Sequence, residues 1–113
     1  MKRLLIIKPS SMGDIIHGLL VAESIRAQLP GIMIDWVVRR EFAPLIDSAL
    51  AIDHTLIFER KGGLDSFIAL IRKIRQTRYD AVLDMQGLAR SGILTFCAKA
   101  FKKIGRSDAR EGV

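Results

Sequence analysis

The residues best suited to chemistry lie in two polar loops, each of which follows an apolar segment. The first loop runs from Lys8 to Asp14 and contains two serines and a glycine. It ends at the predicted start of a helix, where the macrodipole favours an ionised carboxylate, so Asp14 could act as a general base. Ser10, Ser11 and Asp14 are also ordinary helix-capping residues, and from residue types alone capping without catalysis is the commoner case.

The second loop runs from Asp84 to Ser91 and offers the amide of Gln86 and the guanidinium of Arg90. Both groups suit a hydroxylated or anionic ligand, although an ordinary turn with a solvated arginine is the alternative. The loop lacks the second carboxylate of a metal-binding Asp-x-Asp pair, so no metal site is predicted. Neither loop has the glycine spacing of a dinucleotide fingerprint or the Gly-Lys-Ser/Thr ending of a P-loop.

The other reactive side chains are expected to be structural. His17 is expected to be a buried or helix-end histidine, with a catalytic role as the less common alternative. His54 is expected to be a surface residue in a loop, and Cys97 a small core residue. The third predicted helix carries four cations, Arg72, Lys73, Arg75 and Arg78. They are expected to form a solvated face, and attraction to a membrane surface is the less common alternative. One cysteine cannot form an intrachain disulfide, which favours a reducing compartment and hence the cytoplasm.

Alternating secondary structure must position the two loops. Apolar runs predict strands at residues 2–8, 32–38, 55–58, 79–83 and from 102, and helical spacing predicts helices at 15–29, 42–49, 64–74 and 88–100, with a turn at Gly62-Gly63. This alternation predicts an α/β fold, an open, doubly wound parallel sheet with strand order 3-2-1-4-5. Ligands bind such sheets where the strand order reverses, at the carboxyl ends of the first and fourth strands. Both polar loops start there.

Composition narrows the class of protein. The 113 residues are 50% hydrophobic and 27% charged, as expected for one globular domain. A net charge of +6 suits a partner with phosphate or carboxylate groups, while 6% aromatic residues leave few stacking platforms, so no nucleic acid is expected. No apolar run reaches the roughly 18 residues of a spanning helix, so any membrane contact should be peripheral. After residue 105 the alternation stops, which suggests an incomplete domain with an uncovered sheet edge that favours self-association.

Four segments, in order along the chain, together resemble the lipopolysaccharide heptosyltransferases, which use ADP-heptose. They are Lys8-Pro9-Ser10-Ser11-Met12-Gly13-Asp14, Pro30-Gly31 followed by residues 34–38, residues 79–88 with Ser91, and Asp108-Ala109-Arg110-Glu111. The first of them is similar to that of the subfamily that adds a heptose to Kdo on lipid A. The resemblance implies an inverting glycosyltransferase of the GT-B fold, in which two Rossmann-like domains face a cleft and no cofactor is needed.

The resemblance also implies roles for residues. Residues 1–113 would be an incomplete N-terminal acceptor-side domain, would lack the donor-binding domain for ADP-heptose, and would be inactive alone. Asp14 would be the general base, and the Kdo-lipid A acceptor would contact Ser10, Ser11, Gly13, Gln86, Arg90 and Arg110. The protein would be cytoplasmic, with peripheral contact at the inner face of the inner membrane. The residues alone also allow a non-catalytic α/β module that binds phosphorylated ligands.

Overall fold

A five-stranded parallel sheet forms the centre of the described structure. The computed structural model describes residues 2–59, 63–85 and 100–104, the last as a strand. The strands are β1 (Arg3–Ile7), β2 (Met33–Arg39), β3 (His54–Phe58), β4 (Tyr79–Asp84) and β5 (Ala100–Ile104), and the helices are α1 (Met12–Gln28), α2 (Ala43–Asp47) and α3 (Gly63–Arg75). The strand order is β3-β2-β1-β4-β5 and every pairing is parallel, which confirms the predicted class and order.

Successive residues of β1 pack on opposite faces of the sheet, because side chains alternate along a strand. Leu4 and Ile6 belong to one core cluster, which includes Ile15 and Ala22 of α1 and the buried residues of α2. Leu5 and Ile7 belong to a second cluster, which includes the buried residues of α3. Because the sheet has a core on each face, β1 is a continuous apolar run rather than an alternating one.

Helix α1 lies so close to the sheet that position 18 has room only for glycine. A Cβ atom built on Gly18 would lie 2.8 Å from Cη2 of Trp36, and Trp36 is completely buried. Ile15 and Ala22, about one turn on either side, are also completely buried. This packing fixes the first turns of α1 against β2.

The structure corrects several predicted boundaries. The predicted helix cannot include Ala100, because Ala100 begins β5 and pairs with Tyr79. Strand β5 therefore starts two residues before Lys102, since pairing with β4 rather than local residue type sets its start. The helix predicted at 42–49 is a 3-10 turn at Arg40–Phe42 followed by the short α2. Residues 88–99 of the predicted helix and Gly62 of the predicted turn lie outside the described residues.

No helix in the described part of the chain combines the length and the apolar character needed to cross a bilayer.

Candidate functional site

The loop after β1 and the end of β4 lie side by side at the carboxyl edge of the sheet. Ile7 pairs with Asp84, and the backbone N–H of Met85 donates a hydrogen bond to the carbonyl oxygen of Ile7 at 3.0 Å. Asp84 is buried, with 4% of its surface exposed. Because β1 lies between β2 and β4, this is the point at which the strand order reverses, as predicted.

The start of the first loop is held against β2 by three hydrogen bonds. The Lys8 N–H donates to the carbonyl oxygen of Val37 at 3.2 Å, and the Arg39 N–H donates to that of Pro9 at 3.1 Å. The indole Nε1 of Trp36 donates to the carbonyl oxygen of Lys8 at 3.0 Å. The backbone of Lys8 and Pro9 is therefore fixed as an extension of the β1–β2 pairing.

Asp14 lies in the first turn of α1, two residues after the helix begins. Ser11 is the N-cap residue, and its carbonyl oxygen accepts the first helical hydrogen bond from the Ile15 N–H at 2.8 Å. The Ser11 side chain, however, makes no capping hydrogen bond. Within the described residues, the polar contact of the Asp14 carboxylate is with Lys8, with Nζ 3.7 Å from Oδ2, and its side chain is 65% exposed. The capping interpretation therefore lacks the side-chain contacts that would define it.

Sequence reasoning missed the buried ammonium of Lys8. Its side chain is only 6% exposed, although a lysine in a polar loop normally extends into solvent. The burial of Lys8 could have been predicted from its position directly after a strand that is buried on both faces. The aliphatic part of a side chain at that position starts inside the core. The site thus pairs a buried cation with an exposed carboxylate.

The remaining predicted site residues fall into two groups. Gly13 and Ser11 are exposed beside Asp14, Ser10 is half-buried, and no atom lies within 4 Å of a Cβ built on Gly13. Where side chains are described, no three carboxylate, imidazole or thiol groups converge as metal ligands would. Several residues named from the sequence lie outside the described residues: Gln86, Arg90, Ser91, Cys97 and Arg110.

The prediction for His17 is wrong, and that for His54 is confirmed in part. His17 is exposed on the second turn of α1, rather than buried or at a helix end. His54 is exposed, which confirms the predicted surface position, but it begins β3 instead of lying in the preceding loop, and its Nδ1 lies 2.8 Å from Oδ1 of Asp35. The parallel register of β2 and β3 places these two residues opposite each other. The predicted solvated face of α3 is confirmed, since its cations are exposed: Arg72, Lys73, Arg75 and the following Arg78.

A second polar group, the Asp35 cluster, lies at the opposite, amino-terminal edge of the sheet and consists of Arg3, Asp35, His54 and Tyr79. Oδ2 of Asp35 accepts hydrogen bonds from the Tyr79 hydroxyl at 2.8 Å and from Nη2 of Arg3 at 3.1 Å. The Asp35 side chain is 3% exposed, and the cluster lines a cleft of about 390 Å³. One buried carboxylate therefore connects β1, β2, β3 and β4.

The phenol of Tyr79 makes folding stability depend on pH. Burial raises the pKa of Tyr79 above its ordinary value, and the hydrogen bond to Asp35 raises it further. In the unfolded chain the phenol ionises near pH 10, by a rough reference value, whereas the folded chain keeps the proton to higher pH. The folded state then binds more protons, so the contribution of Tyr79 to stability is complete below the unfolded pKa and is lost as the pH rises toward the folded pKa.

We therefore expect the unfolding free energy to fall as the pH is raised beyond the usual range of tyrosine ionisation. Tyr79→Phe keeps the ring but removes the titrating group, so its stability should fall less steeply over the same range. Urea unfolding at a series of alkaline pH values measures both slopes. Equal slopes for the two proteins would contradict the role given to Tyr79.

Comparison with known proteins agrees with this arrangement. Residues 67–113 match the sequence profile of glycosyltransferase family 9 (heptosyltransferase). Lipopolysaccharide heptosyltransferase 1 of Escherichia coli K12 is 36% identical over 101 residues, which cover 81% of this chain and 32% of that protein. The lipopolysaccharide core heptosyltransferase OpsX of Haemophilus influenzae is 33% identical over 110 residues, covering 96% of this chain and 31% of that protein.

The solved structures include a match to the E. coli heptosyltransferase WaaC, determined with ADP. The TM-score is 0.79 at 34% identity, and the match covers 88% of this chain and 34% of WaaC. The chain thus spans about a third of the length of the relatives that it matches. In both sequence and fold, the chain is similar to the heptosyltransferases of glycosyltransferase family 9.

Proposed function

We propose that this chain forms the acceptor-side domain of an inverting heptosyltransferase, which transfers heptose from ADP-heptose to Kdo on lipid A during synthesis of the lipopolysaccharide core. The observation that carries the proposal is the exposed Asp14 carboxylate at the carboxyl edge of the sheet, where the strand order reverses. The sequence similarity to lipopolysaccharide heptosyltransferase 1 supports a lipopolysaccharide precursor as the acceptor.

Asp14 would act as the general base. The acceptor hydroxyl attacks the anomeric carbon of the heptose from the face opposite ADP, and Asp14 takes its proton. The new bond between the acceptor oxygen and the anomeric carbon forms as the bond to ADP breaks, and ADP leaves with that electron pair. Attack from the opposite face inverts the anomeric configuration. The exposure of the carboxylate and its position in the first turn of α1 suit a group that must meet a substrate from solvent.

The rest of the proposal concerns the two substrates. Phosphate and carboxylate groups of Kdo-lipid A would find a favourable field, since the chain carries a net charge of +6. ADP-heptose would bind a second domain that faces this one, and the solved WaaC structure with ADP supports a donor that carries ADP. We place the protein in the cytoplasm, with peripheral contact at the inner membrane where the lipid acceptor lies.

The test is a transfer assay with the complete protein, ADP-heptose and a Kdo-terminated acceptor. We expect one ADP to be released for each heptose transferred, and the anomeric configuration of the product, determined by NMR, to be opposite to that of the donor. The 113-residue chain alone should transfer no heptose, because donor and acceptor must be held together. Binding of the acceptor without turnover, or retention of configuration, would refute the proposal.

A further inference from the structure

The contact between Lys8 and Asp14 joins two side chains in very different surroundings. The Lys8 side chain is 6% exposed and the Asp14 side chain is 65% exposed, so the ammonium reaches the carboxylate from the interior of the domain. An ion pair between two mobile surface side chains contributes little, because ordering both offsets the attraction. Here one partner is already held by its surroundings, so the contact can orient the other.

The backbones of both residues are fixed through the same buried side chain. The indole of Trp36 donates its hydrogen bond to the carbonyl oxygen of Lys8, and α1, which carries Asp14, packs against the same ring at Gly18. The completely buried Ile15 adjoins Asp14 in the chain and fixes this turn of α1. The positions of the two backbones relative to each other are therefore set by the core.

The contact leaves the carboxylate available for chemistry. Nζ of Lys8 approaches Oδ2 of Asp14 at 3.7 Å, a charge contact longer than a typical hydrogen bond. Oδ2 faces the buried cation, and the carboxylate as a whole remains largely in solvent. The contact with the cation thus involves one carboxylate oxygen and leaves the other free of it.

We propose that Lys8 is a positioning residue for the transfer reaction: its buried ammonium holds Oδ2 of Asp14 so that the other carboxylate oxygen meets the acceptor hydroxyl. This inference rests on the proposed role of Asp14 as the base. Because Lys8 acts on the base from inside the domain, its charge contributes to turnover rather than to acceptor affinity.

The test uses Lys8→Met in the complete protein, with ADP-heptose and a Kdo-terminated acceptor. Methionine keeps an apolar stem of similar length and removes the charge. We expect kcat to fall by about 10- to 100-fold, the order of loss that follows from a misplaced catalytic group. The KM for the acceptor should change by less than about twofold, since affinity is not the property that this charge supports. The matched control is Lys73→Met, which removes the same charge from the solvated face of α3 and should leave kcat unchanged.

A double variant separates positioning from a general structural role. In an Asp14→Asn background, Lys8→Met should cause little further loss of kcat, because there is no base left to orient. An equal further loss in that background, or a Lys8→Met protein whose main defect is a raised KM, would overturn the inference. Should Lys8→Met fail to fold, as judged by circular dichroism, Lys8→Gln provides the same comparison with a polar side chain.

The outcomes also distinguish this inference from the proposed function. A fully active Asp14→Asn protein would refute the assignment of the base, and the inference with it. An inactive Asp14→Asn protein together with normal turnover in Lys8→Met would refute the role of Lys8 alone.

Discussion

Asp14→Asn in the complete protein should reduce heptose transfer by about 10²- to 10⁴-fold, the usual cost of losing a general base. Asparagine matches aspartate in size and suits helix N-termini about as well, so stability should change by no more than about 1 kcal/mol. The Asp14 side chain makes no helix-capping hydrogen bond to the part of the backbone that the structure describes, so little structural cost is expected. Turnover assays and thermal unfolding of the same preparation measure the two effects.

Helix α3 supplies a closely matched control. Asp65 is the third residue of α3, as Asp14 is of α1, and both are exposed acidic residues in a first turn. Asp65→Asn therefore makes the same chemical change at an equivalent position in a helix on the other face of the sheet, and turnover should be normal. If Asp14 were only a helix cap, Asp14→Asn would turn over normally and the loss would be in stability, mainly in Asp14→Ala. That pattern would remove Asp14 from the mechanism.

Asp35→Ala should destabilise the fold by about 3 kcal/mol, because it leaves a buried hydroxyl and a partly buried cation without their acceptor. Tyr79 and Arg3 both donate to Oδ2 of Asp35, and His54 contacts Oδ1. Water can reach part of the Asp35 cluster through the open cleft beside it. The expected loss of stability is therefore at the lower end of the range for breaking a buried ion pair. Urea unfolding of the variant and the parent protein measures the difference.

Two further variants show whether the loss arises from the cluster. Glu23→Ala removes an exposed acidic residue from α1 and should change stability by less than about 0.5 kcal/mol. In a Tyr79→Phe background, Asp35→Ala should lower the unfolding free energy by less than it does alone. The reason is that the Tyr79 hydroxyl, one of the donors that would lose its acceptor, is already absent. A loss for Asp35→Ala no larger than that for Glu23→Ala would show that the cluster does not stabilise the sheet.

The sheet could be predicted from the sequence because its signals are local. The unbroken apolar run of β1 indicated a strand buried on both faces, and the helical spacing after it indicated α1. Strand order then followed from the general rules for α/β chains. The order of the elements alone predicts that Asp14 lies at the carboxyl edge of the sheet. For this reason the sequence also predicts that the loop after β1 lies beside the end of β4.

The features that could not be predicted depend on register or on side-chain direction. The contact between Asp35 and His54 exists because β2 and β3 pair in one particular register, and no local pattern specifies it. The start of β5 at Ala100 is likewise set by its pairing with β4. The burial of the Lys8 side chain is a third such feature, since residue type alone would place a lysine in solvent.

The close approach of α1 to Trp36 has a consequence for protein engineering. Replacing helical glycines by alanine is a common route to higher thermal stability, because alanine favours the helix by up to about 1 kcal/mol. Both Gly13 and Gly18 lie in α1 and would be candidates for replacement by alanine. The added methyl group would meet no atom within 4 Å at position 13, but at position 18 it would collide with the indole of Trp36. At position 18 the added methyl would force the helix outward and carry Asp14 away from Lys8. If Asp14 is the base, as we propose, Gly18→Ala should therefore lower both thermal stability and turnover, so a single glycine would affect both properties.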